Sequence, residues 1–82
     1  MAVGESPGWR VEVRDDDVTS VATVIYLLHT ECGLSVRDAA TLAAHVDQKG
    51  QAVVRTFPDQ GAAEQLAVAL QRLGLHTMVR RP

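Results

Sequence analysis

Residues 9–14, Trp-Arg-Val-Glu-Val-Arg, alternate without a break between apolar and charged side chains. Period-two alternation belongs to a β-strand with one face buried and one face wet. Such a strand is not stable alone. The rest of the chain must supply partner strands for its edges and an apolar layer for the face bearing Trp9, Val11 and Val13. The chain has 82 residues, enough for one core and too few for two.

Three stretches of helical periodicity follow. After the acidic turn Asp15-Asp16-Asp17, Thr19 or Ser20 can cap a helix by accepting a hydrogen bond from a free backbone N–H. Val21, Val24, Ile25, Leu28 and Cys32 then recur at three- and four-residue steps, and Gly33 stops the run. Many of these residues are β-branched, so packing rather than propensity must hold the helix. Ser35 caps a second helix, with Asp38 completing a capping box and Val36, Ala39, Ala40, Ala43 and Val46 as its apolar face. It ends before Gly50. A strand over residues 51–57 reaches Pro58. Asp59 opens a third helix whose expected buried stripe is Ala62, Leu66, Ala69, Leu70 and Leu73, closed by Gly74. Residues 75–79 read as a last strand, before the basic ending Arg80-Arg81-Pro82. Residues 1–8 lack periodicity and read as a short disordered leader, with 9–82 as a single domain. The order β-α-α-β-α-β, with its adjacent helices, predicts a two-layer α+β domain in which a small sheet is covered by helices on one face.

Composition narrows the function. Lys and Arg number 8 against 10 Asp and Glu, a net charge of −2, which argues against binding driven by phosphate neutralisation. Trp9, Tyr26 and Phe57 are the three aromatic residues, too few for a base-stacking platform. The single cysteine, Cys32, rules out an internal disulfide and a multi-cysteine zinc site. No apolar run approaches the roughly 20 residues of a membrane span, and no signal segment opens the chain. A cytoplasmic monomer is expected.

Few patterns suggest chemistry. Asp15-Asp16-Asp17 would attract a cation, or would simply be a solvated turn that favours the following helix N-terminus. His29, Cys32, His45 and Asp47 can be drawn as a metal site, but their spacing matches no closed zinc pattern. The chain has neither a strand-to-helix serine elbow nor a glycine loop for phosphate, so neither an enzyme nor a cofactor is expected. Gln60, Glu64, Gln65, Gln71 and Arg72 lie on the exposed side of the third helix and meet either water or a partner.

Taken in order, these segments resemble the Clp protease adaptor family, ClpS, over about residues 10–81. The resemblance is carried by Val13-Arg14-Asp15-Asp16-Asp17-Val18-Thr19, Val24-Ile25-Tyr26-Leu27-Leu28, the run from Val46 through Asp47-Gln48-Lys49-Gly50-Gln51-Ala52-Val53 to Val54, Ala63-Glu64 and Gly74-Leu75. It implies a three-stranded antiparallel sheet packed on three helices. It also implies an adaptor that recognises the N-terminal residue of other proteins and delivers them to a Clp-type AAA+ unfoldase of the ClpA or ClpC kind. By the same resemblance, Asp15, Asp16 and Asp47 would surround the α-ammonium. Thr19, Val21, Val24, Ala43, Val46 and Leu75 would line the pocket for the first side chain. Docking on the unfoldase would fall to Gln60, Glu64 and Gln65. The physics suits such a ligand: an ammonium carries a charge and three donors, charge-assisted hydrogen bonds contribute roughly 1.5–3 kcal/mol each, and burying a Leu or Phe side chain adds about 1.5–3 kcal/mol.

The chain departs from the family in several places. Asp47 stands where the family has His, and Val21 and Ala43 stand where it often has Met. Thr23 replaces a common aromatic. A one-residue slip would put His45 at the site instead. Three close carboxylates repel, so a raised pKa is expected for at least one of them in the empty site. Smaller walls imply a wider pocket, open to Ile or Val or holding Leu loosely. A leader of eight residues reaches at most about 26–29 Å, which implies weak delivery. The alternative is a ClpS-fold interaction module or an inhibitor of degradation with altered or no N-degron binding.

Overall fold

The computed structural model describes residues 8–16 and 18–82. Six elements follow in order: β1 (Trp9–Arg14), α1 (Val21–Cys32), α2 (Val36–Lys49), β2 (Gln51–Phe57), α3 (Gln60–Arg72) and β3 (His76–Arg80). The sheet is antiparallel, with β1 in the middle and the order β2-β1-β3. This is the two-layer α+β arrangement expected, and β1 has the expected bounds. Of the residues read as a leader, 1–7 lie outside the described residues, and Gly8 is buried beside β2. A Cβ on Gly8 would approach the Phe57 carbonyl oxygen to 3.0 Å, so the strand entry is too close for a side chain.

Each helix starts where a short polar side chain meets a free amide. The Ser20 hydroxyl accepts from Thr23 N, the Ser35 hydroxyl from Asp38 N, and the Asp59 carboxylate from Ala62 N. The Ser35–Asp38 bond is one half of the expected capping box. Two helices are turned back into the sheet by glycines in the left-handed region. Gly50 (φ 86°) takes the chain from α2 into β2, and Gly74 (φ 96°) takes it from α3 towards β3. Side chains with a Cβ rarely adopt that conformation.

The core lies between the helices and one face of the sheet. Val11 and Val13 are fully buried there with Leu28 and Leu70, joined by Leu27, Cys32, Ala39 and Val46. The stripe on α3 differs from the expected one. Ala63, Ala67 and Leu70 are buried, whereas Ala62, Leu66 and Ala69 are half-buried and Leu73 is exposed. Nearly every residue from Ala62 to Leu70 is apolar, so periodicity alone cannot fix the helix rotation. The bond from Gln71 Nε2 to the Thr77 carbonyl, 2.8 Å, is one contact tying the rotated helix to β3.

A bulge interrupts β2. Val11 pairs with Arg55 but Glu12 pairs with Val53, so Val54 is the extra residue. The Arg55 guanidinium reaches the Cys32 carbonyl at the end of α1, 2.9 Å away, where a cation is favourable. Among the described residues, no helix is long and apolar enough to cross a membrane.

Candidate functional site

The loop from Asp15 to Ser20 is tied down at one flank and lies against a second corner at the other. At one flank, Asp15 N donates to the Gly50 carbonyl at 2.9 Å. This brings the end of β1 to the corner that follows Asp47 by three residues. At the other, the Thr19 hydroxyl faces the Gly74 carbonyl at 3.5 Å, next to Leu75. Two corners with left-handed glycines and one acidic loop therefore share one end of the sheet. Asp15, Asp47 and Leu75, far apart in sequence, belong to this end.

Asp16 organises the loop from within. Its Oδ1 accepts from Val18 N at 2.9 Å and from Thr19 N at 2.6 Å, and its Oδ2 accepts from the Thr19 hydroxyl at 3.2 Å. Aspartate bonds its own backbone in this way at turns ahead of helices. The bond from Thr19 N, followed by that from Val18 N, holds the Asp16 carboxyl below the usual aspartate range, and His76 on β3 adds a small electrostatic contribution in the same direction. For Asp16 the direction is thus opposite to that expected from repulsion, because its backbone donors outweigh the opposing effect of desolvation. A carboxylate has about four acceptor positions, so Asp16 keeps one on Oδ2. Asp17, the third acid of the run, lies outside the described residues.

The other expected ammonium contacts, Asp15 and Asp47, are exposed. Asp47 sits one turn beyond the buried Ala43 on α2, at the margin of its apolar stripe. Among the expected pocket residues, Val24, Ala43, Val46 and Leu75 all belong to the core cluster. Thr19 is half-buried, and Val21 is 46% exposed at the first turn of α1. The six residues thus run from the core to the surface, with Val21 and Thr19 as the outermost members. His45 is exposed, one position before the buried Val46.

His29, Cys32, His45 and Asp47 are not grouped around a common point among the described residues. His29 Nδ1 is bonded to the Leu34 carbonyl at 2.6 Å, and Cys32 is buried in the core, where burial pushes its thiol above the ordinary value. Among the described residues, no three His, Cys, Asp or Glu side chains are grouped to hold a metal ion. On α3, Gln60, Glu64 and Gln65 are exposed, and Gln60 Nε2 donates to Glu64 Oε1 at 3.0 Å.

Two participants were missed in the sequence. His76 pairs in register with Arg14, which places it beside the acidic loop. The Gly74 carbonyl lies 3.5 Å from the Thr19 hydroxyl. A signal for both existed: once the last strand is paired antiparallel to the first, the residues after Gly74 must lie beside the residues before Asp15.

A comparison with curated proteins gives no match. Among solved structures, the chain is similar to Agrobacterium tumefaciens ClpS2 bound to L-phenylalaninamide. The identity is 21%, the match covers 94% of this chain and 100% of that one, and the TM-score is 0.86. At that identity the likeness speaks for the fold. The family model of the ATP-dependent Clp protease adaptor protein ClpS matches residues 4–77. A match over almost the whole chain, on a fold of the same element order, makes this protein a member of the ClpS family.

Proposed function

We propose that the chain binds other polypeptides by their first residue and delivers them to a Clp-type AAA+ unfoldase in the cytoplasm. Asp15, Asp47 and the remaining acceptor of Asp16 hold the free α-ammonium. Thr19 and Val21 form the mouth of an apolar hollow, with Val24, Ala43, Val46 and Leu75 behind them. Gln60, Glu64 and Gln65 meet the unfoldase, of the ClpA or ClpC kind. The observation that carries this reading is the hydrogen bond from Asp15 N in the acidic loop to the Gly50 carbonyl, with the Gly74 carbonyl close to Thr19 on the other flank. It gathers the carboxylate-bearing segments and Leu75 at one end of the sheet. The phenylalaninamide bound to the Agrobacterium ClpS2 has the same chemistry, a free α-ammonium beside an apolar side chain.

The walls favour small or branched first residues. Val21 and Ala43 remove bulk where the family often has Met, and Asp47 exchanges an imidazole for a second exposed carboxylate. The test is fluorescence anisotropy with short peptides beginning with Leu, Ile, Val or Phe, each with a free and an acetylated N-terminus. Free peptides should bind near the micromolar range, about −8 kcal/mol, and the acetylated ones at least tenfold more weakly, as expected for loss of a charge-assisted contact of roughly 1.5–3 kcal/mol. Equal binding of both forms would refute the reading.

A second reading is an interaction module on the same fold, without N-degron recognition. It is favoured by the engagement of Asp16 in three bonds within its own loop and by the burial of Val24, Ala43, Val46 and Leu75 in the core. Co-purification with an unfoldase, independent of any free N-terminus, would select it.

A further inference from the structure

All of the fully buried β1 side chains point to the helices. By register, the opposite face of the sheet carries Arg10, Glu12 and Arg14 from β1, Val53 from β2, and His76, Met78 and Arg80 from β3. Among the described residues, no element covers this face. Its charge is the reverse of the whole chain's. The protein has net charge −2 with 8 basic residues, yet Arg10, Arg14 and Arg80 share this face with one acid, Glu12, and Arg81 follows immediately.

The arginines are held in place. Glu12 is 7% exposed, and its Oε1 lies 3.6 Å from Arg14 Nε and 3.4 Å from Arg80 Nε. One carboxylate is thus shared by two guanidinium groups. Arg14 donates on to Gln51 Oε1 at 3.1 Å, and Arg10 donates to the Arg81 carbonyl at 3.0 Å. Arg14 Nε is buried and has no hydrogen-bond partner. Arg10 and Arg80 are direct cross-strand partners, and like charges in that relation destabilise a sheet. Each guanidinium has five donors, and the bonds named here occupy only a minority of them.

We propose that this face is a docking surface for an extended, acidic segment of a partner protein. Arg10 and Arg14 lie four residues apart on one strand, roughly 13 Å, which matches carboxylates four residues apart in an extended chain. Glu12, between them, excludes a carboxylate from the middle position. Val53 and Met78 supply apolar contact beside the charges. A nucleic acid fits less well, because the face has no Phe, Tyr or Trp ring: Trp9 and Phe57 pack against the core on the other side. Residues 1–7 contain one acid, Glu5, too little charge to neutralise the face.

The inference does not depend on recognition of a free N-terminus, and its test keeps the two apart. The full chain, labelled for amide NMR, is titrated at about 50 mM salt with an acetylated, amidated peptide, Gly-Glu-Gly-Thr-Gly-Glu-Gly. The same sequence with Gln for Glu is the neutral control, and a short single-stranded oligonucleotide is the competing class. The acidic peptide should shift the amides of β1 and β3, and the shifts should fade with added salt. Arg10→Gln with Arg80→Gln should weaken binding at least about fivefold. Two substitutions with the same charge change on the helices, Arg37→Gln and Arg72→Gln, should leave it within about twofold. Shifts equal for the neutral peptide, equal losses in both double variants, or tighter binding of the oligonucleotide at the same amides would overturn the proposal. Binding of free Leu or Phe peptides should be unchanged by Arg10→Gln with Arg80→Gln.

Discussion

The two faces of β1 are one residue out of phase and obey different physics. Val11 and Val13 lose all contact with water against the helices. Arg10, Glu12 and Arg14 form a charged relay on the other side, in which the carboxylate is nearly as buried as the valines. On the covered face, contacts are non-directional and each methyl group counts. On the open face, the net gain is smaller because desolvation of the buried carboxylate offsets its attraction to two partly exposed arginines. The strand's stability therefore rests on its valines, and the arginines are available for another task.

The largest expected effect is on the covered face. Val13→Ala removes two buried carbons and leaves a cavity, at a cost of about 2–3 kcal/mol. Thermal melting followed by circular dichroism should show a drop of roughly 10–20 °C. Glu12→Gln should cost less, about 1–2 kcal/mol, because it withdraws the charge shared by two partly exposed arginines. A loss as large as that of Val13→Ala would erase the distinction between the faces. The smallest effect should have the opposite sign. Arg10→Glu turns a like-charge pair with Arg80 into an attractive one, and should stabilise by about 0.2–1 kcal/mol at low salt while abolishing binding of the acidic peptide.

Two titrations sharpen the comparison between surface and core. Asp16 has a lowered pKa in the fold, so its contribution to stability is complete above the ordinary aspartate value, about 3.9, and is lost as pH falls through the lower folded value. The melting-temperature gap between the protein and Asp16→Ala should be flat from about pH 5 to 8 and shrink below about pH 4. Cys32 moves the other way. Burial raises its pKa, so its contribution is full below the ordinary thiol range and is lost as pH rises through and above it. Alkylation of native protein at pH 8 should be slow, with the thiol becoming reactive on unfolding; fast labelling of the native state would contradict its place in the core.

Element order and bounds were legible because the local signals agreed. Alternation marked β1, hydroxyl and carboxylate caps opened the helices, and glycines closed them. Rotation was not legible on α3, where a run of alanines offers two equivalent stripes. The side on which Arg55 emerges was also hidden, because the bulge at Val54 reverses the alternation of β2. At the site, a resemblance supplied Asp15, Asp16, Asp47 and the apolar set, while composition alone supplied only an acidic turn. Asp16's bonds to Val18 and Thr19 follow from local backbone geometry that spacing does not encode. The position of His76 needed the pairing of the first and last strands.

That pairing governs how the molecule assembles. The middle strand is made first, yet its neighbours begin only at Gln51 and His76. Every ladder in the sheet thus joins distant parts of the chain, and loop closure must be met before the contacts reward it. Until the final strand arrives, Val11 and Val13 stand beside an open hydrogen-bonding edge. The nascent chain passes through a sticky, half-built stage, and the two charged residues that flank each valine along β1 help keep it soluble there.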